Sequence, residues 1–294
     1  MTSIPSHEPP RARLRALLRR PAMLVAPGAF DAIGARIVEE AGFEAVYMTG
    51  AGVSLARGYP DLGLLGVVEM ADAVRVLARS TRLPVIADAD TGYGNELNVT
   101  RTVQDYEAAG AAGLHLEDQV APKRCGHLAG KEVVSRSEFL AKIRAAVAAR
   151  RDPDFLLIAR TDARATDGFD EAVWRANAAL DAGADMAFVE ATQSAQEAAE
   201  VPRAVHGPCL LNVVQGGRTP VADLRQAEEM GYRMTILPSV LMTAFLEAGD
   251  AALAALHGTR QVAASRSSVQ DVFRRFGMDA WNALRQPLAG ENGQ

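Results

Sequence analysis

Ala108-Ala109-Gly110-Ala111-Ala112-Gly113-Leu114-His115-Leu116-Glu117 decides how this chain folds. A helically spaced segment, Asn98–Ala109, stops at Gly110, and an apolar run, Ala112–Glu117, begins two residues later. Glycine just past a helix supplies the left-handed conformation that ends it, and a short apolar run behind it suits a buried strand. The cadence recurs at Ala41-Gly42 before Ala45–Thr49 and at Ala182-Gly183 before Met186–Glu190. Five further runs have the same character: Met23–Ala26, Pro84–Ala89, Phe155–Thr161, Cys209–Val213 and Met234–Leu237. Between the eight lie amphipathic helical patterns at Asp31–Glu40, Val67–Ser80, Asn98–Ala109, Ser137–Ala149, Gly168–Ala182, Ala195–Val205 and Val221–Met230.

Strands alternating with helices predict a parallel sheet with crossover helices, and eight repeats close a barrel. An open dinucleotide-binding sheet would carry G-x-G-x-x-G after its first strand. Here Gly50-Ala51-Gly52 follows the second strand and meets Leu55 where the third glycine belongs. The expected fold class is therefore α/β, a (β/α)8 TIM barrel with extra C-terminal helices near Leu241–Leu256 and Ser268–Leu284. No boundary interrupts the pattern, so residues 1–294 read as one barrel domain. An N-terminal segment occupies about residues 1–20, and C-terminal helices and a tail occupy about 241–294.

The composition agrees. The chain has 294 residues, 49% hydrophobic and 23% charged, which suits a globular protein with a sizeable core and excludes a disordered one. No uninterrupted run of 18 apolar residues occurs, so no membrane span is expected. The arginines from Arg11 to Arg20 precede no apolar signal core. A net charge of −5 offers no basic face for nucleic acid. Two cysteines, Cys125 and Cys209, make no disulfide framework and fit a reducing cytoplasm. The 31 basic residues include only three lysines, Lys123, Lys131 and Lys142, the first two in one short stretch.

Active sites of such barrels form at the C-terminal strand ends, and polar residues collect there. The third strand ends Asp88-Ala89-Asp90-Thr91-Gly92. Strand alternation would turn Asp88 and Asp90 the same way. Buried side by side, two carboxylates call for a cation such as Mg2+, with Mn2+ also acceptable to oxygen donors; a turn or helix cap is the plainer use of the same residues. The fourth strand adds Glu117 on the face of His115, which reads as a histidine that positions a neighbour. The fifth ends in Arg160, suited to a carboxylate or to a salt bridge with Glu190 or Asp162. Glu190 ends the sixth and Asn212 the seventh. The backbone after Tyr47, at Thr49-Gly50-Ala51, could form an anion nest. A long polar connection, Asp118 to Lys131, holds Cys125 among Lys123, Arg124 and His127. Cations so close predict a lowered thiol pKa and a thiolate. No strand holds a lysine, so a barrel-strand Schiff base is excluded.

Asp88-Ala89-Asp90-Thr91-Gly92-Tyr93-Gly94, His115-Leu116-Glu117-Asp118-Gln119 and Lys123-Arg124-Cys125-Gly126-His127 together resemble the isocitrate lyase/phosphoenolpyruvate mutase superfamily. The likeness runs from about Ala26 to Leu246 and is greatest to the short C–C lyases, the methylisocitrate lyase, dimethylmalate lyase and petal-death types. It implies a homotetramer that exchanges its last helices, and a Mg2+ site at Asp88 with Asp61, Asp90 and Glu117 around it. It implies that Thr49, Gly50 and Ala51 cradle a 2-oxo-acid end, Arg160 grips a carboxylate, and the stretch from Lys123 through Gly126 to His127 is a mobile gate. Glu190 and Asn212 complete the substrate pocket, Cys125 is the general acid or base, and Lys123, Tyr47 and His127 assist. The substrate expected is a 2-hydroxy or 2-oxo carboxylate. Tricarboxylate-cleaving members carry an arginine after the eighth-strand proline. Here Pro238 leads into Ser239-Val240-Leu241-Met242, and Gln215 stands where they have a glutamate, so a smaller or less charged substrate such as an alkylmalate is expected. Gly168 and Arg218 are the positions that could alter that picture.

Overall fold

The computed structural model describes residues 8–217, 219, 221 and 223–289; Arg218 and the end of the tail lie outside them. In chain order the elements are α1 (Pro10–Arg19), β1 (Leu24–Ala29), α2 (Ala32–Glu40), β2 (Val46–Met48), α3 (Gly50–Ala56), α4 (Val67–Ser80), β3 (Val85–Asp88), α5 (Glu96–Ala109), β4 (Gly113–Glu117), α6 (Arg136–Ala149) and β5 (Leu156–Thr161). Then follow α7 (Ala163–Thr166), α8 (Phe169–Asp181), β6 (Met186–Val189), α9 (Ala195–Ala204), β7 (Cys209–Asn212), α10 (Leu224–Met230), β8 (Met234–Leu237), α11 (Val240–Thr259), α12 (Val269–Arg275) and α13 (Met278–Ala289). The eight strands form a closed parallel barrel in sequence order. Pairing of Leu24 with Met234 and of Pro27 with Leu237 shuts it.

The helix stops are made as the sequence predicts. Gly110 caps α5 in the left-handed conformation at φ 101°, its N–H returning to Glu107 and Tyr106 carbonyls. Gly113 then opens β4 against β5, where an added Cβ would stand 2.6 Å from Leu156 Cβ. Inside the barrel Ala26, Tyr47, Ile86, Ala112, Ile158, Phe188, Leu210 and Ile236 pack in one cluster. Outside it, β-strand and helix side chains such as Met48, Leu77, Leu114 and Phe139 form the layer under the helices.

The N-terminal segment is more ordered than its arginines suggest. Pro10 begins α1, a position where its missing N–H costs nothing. Leu14 and Leu17, one turn apart, are buried and join the barrel-interior cluster with Leu24 and Met234. Arg11 donates to the Ala111 carbonyl at 3.0 Å and Arg15 to the Phe155 carbonyl at 3.0 Å. The helix thus closes the barrel end opposite the strand C-termini.

A first compact unit runs to Phe245 and a second from Leu246. The surplus helix predicted over Ser268–Leu284 is two, α12 and α13, broken at Gly277 with φ 85°. Within the second unit Leu253, Leu256, Val269, Phe273 and Trp281 are exposed. The sequence predicts no membrane span, and one described helix, α11, is nevertheless apolar enough to cross one on length and composition alone, with none of it buried. Its alanines supply the apolar length, and Glu247 and Asp250 interrupt the run.

Candidate active site

A cavity of about 130 Å3 opens at the C-terminal ends of the strands. Among its lining residues are Tyr47, Asp61, Asp88, Lys123, Cys125, His127, Arg160, Glu190 and Asn212. Sequence reasoning named all of these, together with Thr49, Ala51 and Gly126, which also line it. Val214, Ser239 and Met242 also belong to the lining but carry no role of their own in that reading, the last two entering it only as part of the stretch that lacks an arginine.

Asp88 ends β3 on the floor. Its Oδ2 accepts from Tyr47 Oη and from the Gly50 N–H, each at 3.3 Å. Burial would raise this carboxyl, but the charges of Lys123 and Arg160 and the Asp90 N–H hold it below the ordinary carboxylate range, an effect that a protonated His115 would add to. Tyr47 Oη lies 2.8 Å from His115 Nε2, and burial lowers His115 to about 4. His115 is thus neutral at pH 7, and its 3.6 Å approach to Asp88 is no salt bridge; Lys123 and Arg160 are the charges that keep Asp88 ionised. The histidine orients Tyr47, as its place in the strand suggested. Burial and Asp88 push the Tyr47 phenol well up, so it keeps its proton and donates.

Two backbone expectations are corrected. Asp90 does not share the strand face of Asp88, because β3 ends at Asp88 and Asp90 turns left-handed at φ 45°. Its N–H donates to Asp88 Oδ1 at 3.0 Å, so the first acid fixes the turn that places the second. The stretch after Thr49 is no open nest but the first turn of α3. Gly50 N–H is given to Asp88, and Gly52 N–H lies 3.4 Å from the capping Thr49 Oγ1.

Lys123, buried, bridges Asp61 and Asp90, the latter at 2.8 Å. Burial opposes its charge, yet Asp90, Glu117, Asp88 and Asp61 keep it firmly protonated. Arg160 is hemmed by three carboxylates: Asp162 at 2.9 Å, Glu117 at 3.2 Å and Glu190 at 3.3 Å. Both salt bridges foreseen from the sequence form, with Glu117 added. Asn212 Nδ2 donates to Glu190 Oε2 at 3.1 Å and lies 3.4 Å from His127 Nε2. Gly126 passes so close beneath this group that a Cβ there would stand 2.4 Å from Arg160 Nη2.

The thiolate expectation is overturned. Burial pushes the Cys125 thiol above its ordinary value, with the His127 N–H only partly opposing. The neighbouring lysine's charge is committed to Asp61 and Asp90, so the nearness in sequence brings no net cation to sulfur. Cys125 is a thiol, able to give a proton. Cys209 is buried in β7, the core residue expected.

Among the described residues no three His, Cys, Asp or Glu side chains are drawn together tightly enough to hold a metal ion as they stand. The chemistry of the set nevertheless fits one. Glu117 Oε1 is buried with no partner, while Glu117 Oε2 and Asp90 Oδ1 are met only by the charges of Arg160 and Lys123, outside hydrogen-bond geometry. Burial pushes Asp90 to about 6 and Glu117 well up. A hard cation relieves that condition.

A family model described as phosphoenolpyruvate phosphomutase matches residues 14–257. The 2,3-dimethylmalate lyase of Eubacterium barkeri is 48% identical over 229 residues, covering 78% of this chain and 79% of that protein. The 2-methylisocitrate lyase of Aeropyrum pernix is 44% identical over 246 residues, covering 84% and 79%. Among solved structures, oxaloacetate acetylhydrolase in complex with 3,3-difluorooxalacetate matches with a TM-score of 0.92 at 38% identity, covering 97% of this chain and 99% of that one.

Proposed function

The chain belongs to the phosphoenolpyruvate mutase/isocitrate lyase superfamily, and from that premise we propose that it is a divalent-metal-dependent carbon–carbon lyase of 2-hydroxy carboxylates, with an alkylmalate-type substrate. The observation that carries the reading is the place of Cys125, its thiol pushed up by burial, in the wall of a small cavity floored by Asp88 and faced by Arg160. Asp88, Asp90 and Glu117, with Asp61 beside them, would hold Mg2+ or Mn2+. When bound, the ion supplies Lewis-acid polarisation of the substrate's C2 oxygen.

The residues present supply the rest. Arg160 meets the substrate carboxylate with a planar fork already oriented by Asp162. Tyr47, held protonated, donates to the C2 oxygen as charge develops there. A basic group of the site takes the C2 hydroxyl proton and returns it to the Cys125 thiolate at the end of the cycle, the C2–C3 bond breaks, and C2 becomes the carbonyl carbon of a 2-oxo acid. The electron pair passes to C3, which takes a proton from the Cys125 thiol. The loop carrying Lys123, Cys125 and His127 excludes water from that carbanion. Val214, Pro238 and Met242 bring no charge to the far wall, which supports an uncharged distal substituent. We take the working unit to be a homotetramer, a reading supported by the exposed Leu253, Phe273 and Trp281 of the second unit.

Purified protein supplied with Mg2+ should release pyruvate from one of 2,3-dimethylmalate, 2-methylmalate or 2-methylisocitrate, or glyoxylate from a 3-alkylmalate. EDTA should abolish the release, and Mg2+ or Mn2+ should restore it. Release of acetate and oxalate from oxaloacetate, with none of the 2-hydroxy acids cleaved, would overturn the lyase reading in favour of a hydrolase on the same scaffold.

A further inference from the structure

Behind the cavity wall lies a second charged cluster that the proposed chemistry leaves unused. Lys131 sits near the end of the Cys125-bearing loop with its side chain 1% exposed. Its Nζ donates to the Gly126 carbonyl at 2.5 Å and to Asp162 Oδ1 at 2.6 Å. Asp162 Oδ2 accepts from Arg160 Nε at 2.9 Å. One carboxylate therefore serves both the loop's lysine and the arginine that faces the cavity.

The barrel side of this junction is fixed. The Asp162 N–H donates to Asp118 Oδ1 at 2.8 Å, and Asp118 Oδ2 accepts from Thr161 Oγ1 at 2.6 Å and from Arg175 at 3.1 Å. The loop's backbone is paired at its base, where Val120 N–H meets the Glu132 carbonyl and Val134 N–H the Asp118 carbonyl, each at 2.8 Å, and the Gln119 side chain clasps the Arg124 N–H and carbonyl. Between these points its attachments to the barrel are made chiefly by side chains: Lys123 reaches Asp61 and Asp90, and Lys131 reaches Asp162. Burying an ammonium group is costly unless it is paired. A hydrogen bond to Gly126 alone would need no charge; the charge is needed to cross to β5.

We propose that Lys131 is a positioning residue, a latch that ties the Gly126 carbonyl to Asp162 and holds the Cys125 loop shut. The proposal rests on the lyase reading for its kinetic consequence but not for its structural one, and the test separates the two. Alkylation of Cys125 by iodoacetamide, followed by mass spectrometry, reads loop opening with no substrate present. Buried Cys209 on β7 is the internal control. Lys131→Met should raise the Cys125 alkylation rate roughly ten- to hundredfold, the range for losing a buried charge-assisted hydrogen bond, and leave Cys209 unreactive. With the substrate found above, KM should rise and kcat fall together, because the loop must close on the bound molecule. Lys131→Gln, which keeps one donor without the charge, should show the same rise and serves if Lys131→Met does not fold. Unchanged Cys125 alkylation in the folded variant, or Cys125 and Cys209 rising in step, would overturn the latch. Faster alkylation in an enzyme that cleaves no 2-hydroxy acid would uphold the latch and fail the lyase reading.

Discussion

Adding one methyl group at Gly126 tests how closely the loop must seat. An ideal Cβ there falls 2.4 Å from Arg160 Nη2 and 2.6 Å from Glu190 Cγ, where unstrained heavy-atom contacts begin at about 3.5 Å. Arg160 and Glu190 cannot retreat, because each is buried and already paired, Glu190 Oε1 with the Ala191 N–H and Oε2 with Asn212. The loop must therefore lift by about 1 Å, the scale of misplacement that can cost roughly a hundredfold in rate, or about 2.7 kcal/mol of transition-state stabilisation. Gly126 is not among the glycines with positive φ, so alanine brings contact without backbone strain. For Gly126→Ala we expect kcat/KM for 2-oxo-acid release, followed by a coupled reductase assay, to fall about a hundredfold, with the melting temperature within about 2 °C of the parent because the loop lies outside the core. Wild-type kcat/KM in this variant would refute the reasoning. So would a large loss of melting temperature, since it would place the clash in the barrel.

Cys125→Ser replaces a proton donor by a much weaker acid at the same place, and should lower kcat by about 10²–10⁴-fold while oxalate binding, followed by calorimetry, stays within a few-fold; near-normal turnover would remove the thiol from the chemistry. Asp162 gives a pH signature. Burial opposes its charge, but Arg160 and Lys131 hold it near 2 against an ordinary 3.8. This depressed carboxyl contributes about 2 kcal/mol of stability above the ordinary carboxylate range, lost as pH falls from about 4 through about 2. Urea midpoints measured at pH 7 and pH 3 should therefore differ less in Asp162→Asn than in the parent, and equal differences would show that the ion pairs do not hold the folded carboxyl down. Leu14→Ala empties a fully buried site in the floor of the barrel and should cost about 2–5 kcal/mol by chemical denaturation; a change under 1 kcal/mol would mean that α1 does not close the barrel.

Much of this architecture was legible because barrel repeats carry local punctuation. Glycines after helices, apolar runs and acids at strand ends are each set by neighbours a few residues away. What failed depended on distant partners. Asp90 left the Asp88 face because its own N–H caps Asp88, a bond that strand alternation does not anticipate. The Cys125 thiol is pushed up rather than down because the fold buries it, and the nearby Lys123 is turned away to Asp61, far back in the chain. Helix α1 was hidden by arginines that look solvent-bound in sequence but donate to carbonyls at the barrel end. The strand ends already grouped Asp88, Asp90 and Glu117; Asp61 came from the family resemblance alone. The Lys131–Asp162 contact needed coordinates, since nothing in the sequence relates the two residues.

The lysines carry a practical consequence. Lys123, Lys131 and Lys142 are the only three in the chain, and they are 5%, 8% and 3% exposed. The described surface thus shows guanidinium but no accessible side-chain amine. Glutaraldehyde and succinimidyl esters will find almost nothing to react with on the native fold, and a failed cross-link says nothing against an oligomer. The same silence makes acylation useful: two of the three amines sit on one loop, so the first to be modified in the native enzyme marks where the molecule breathes.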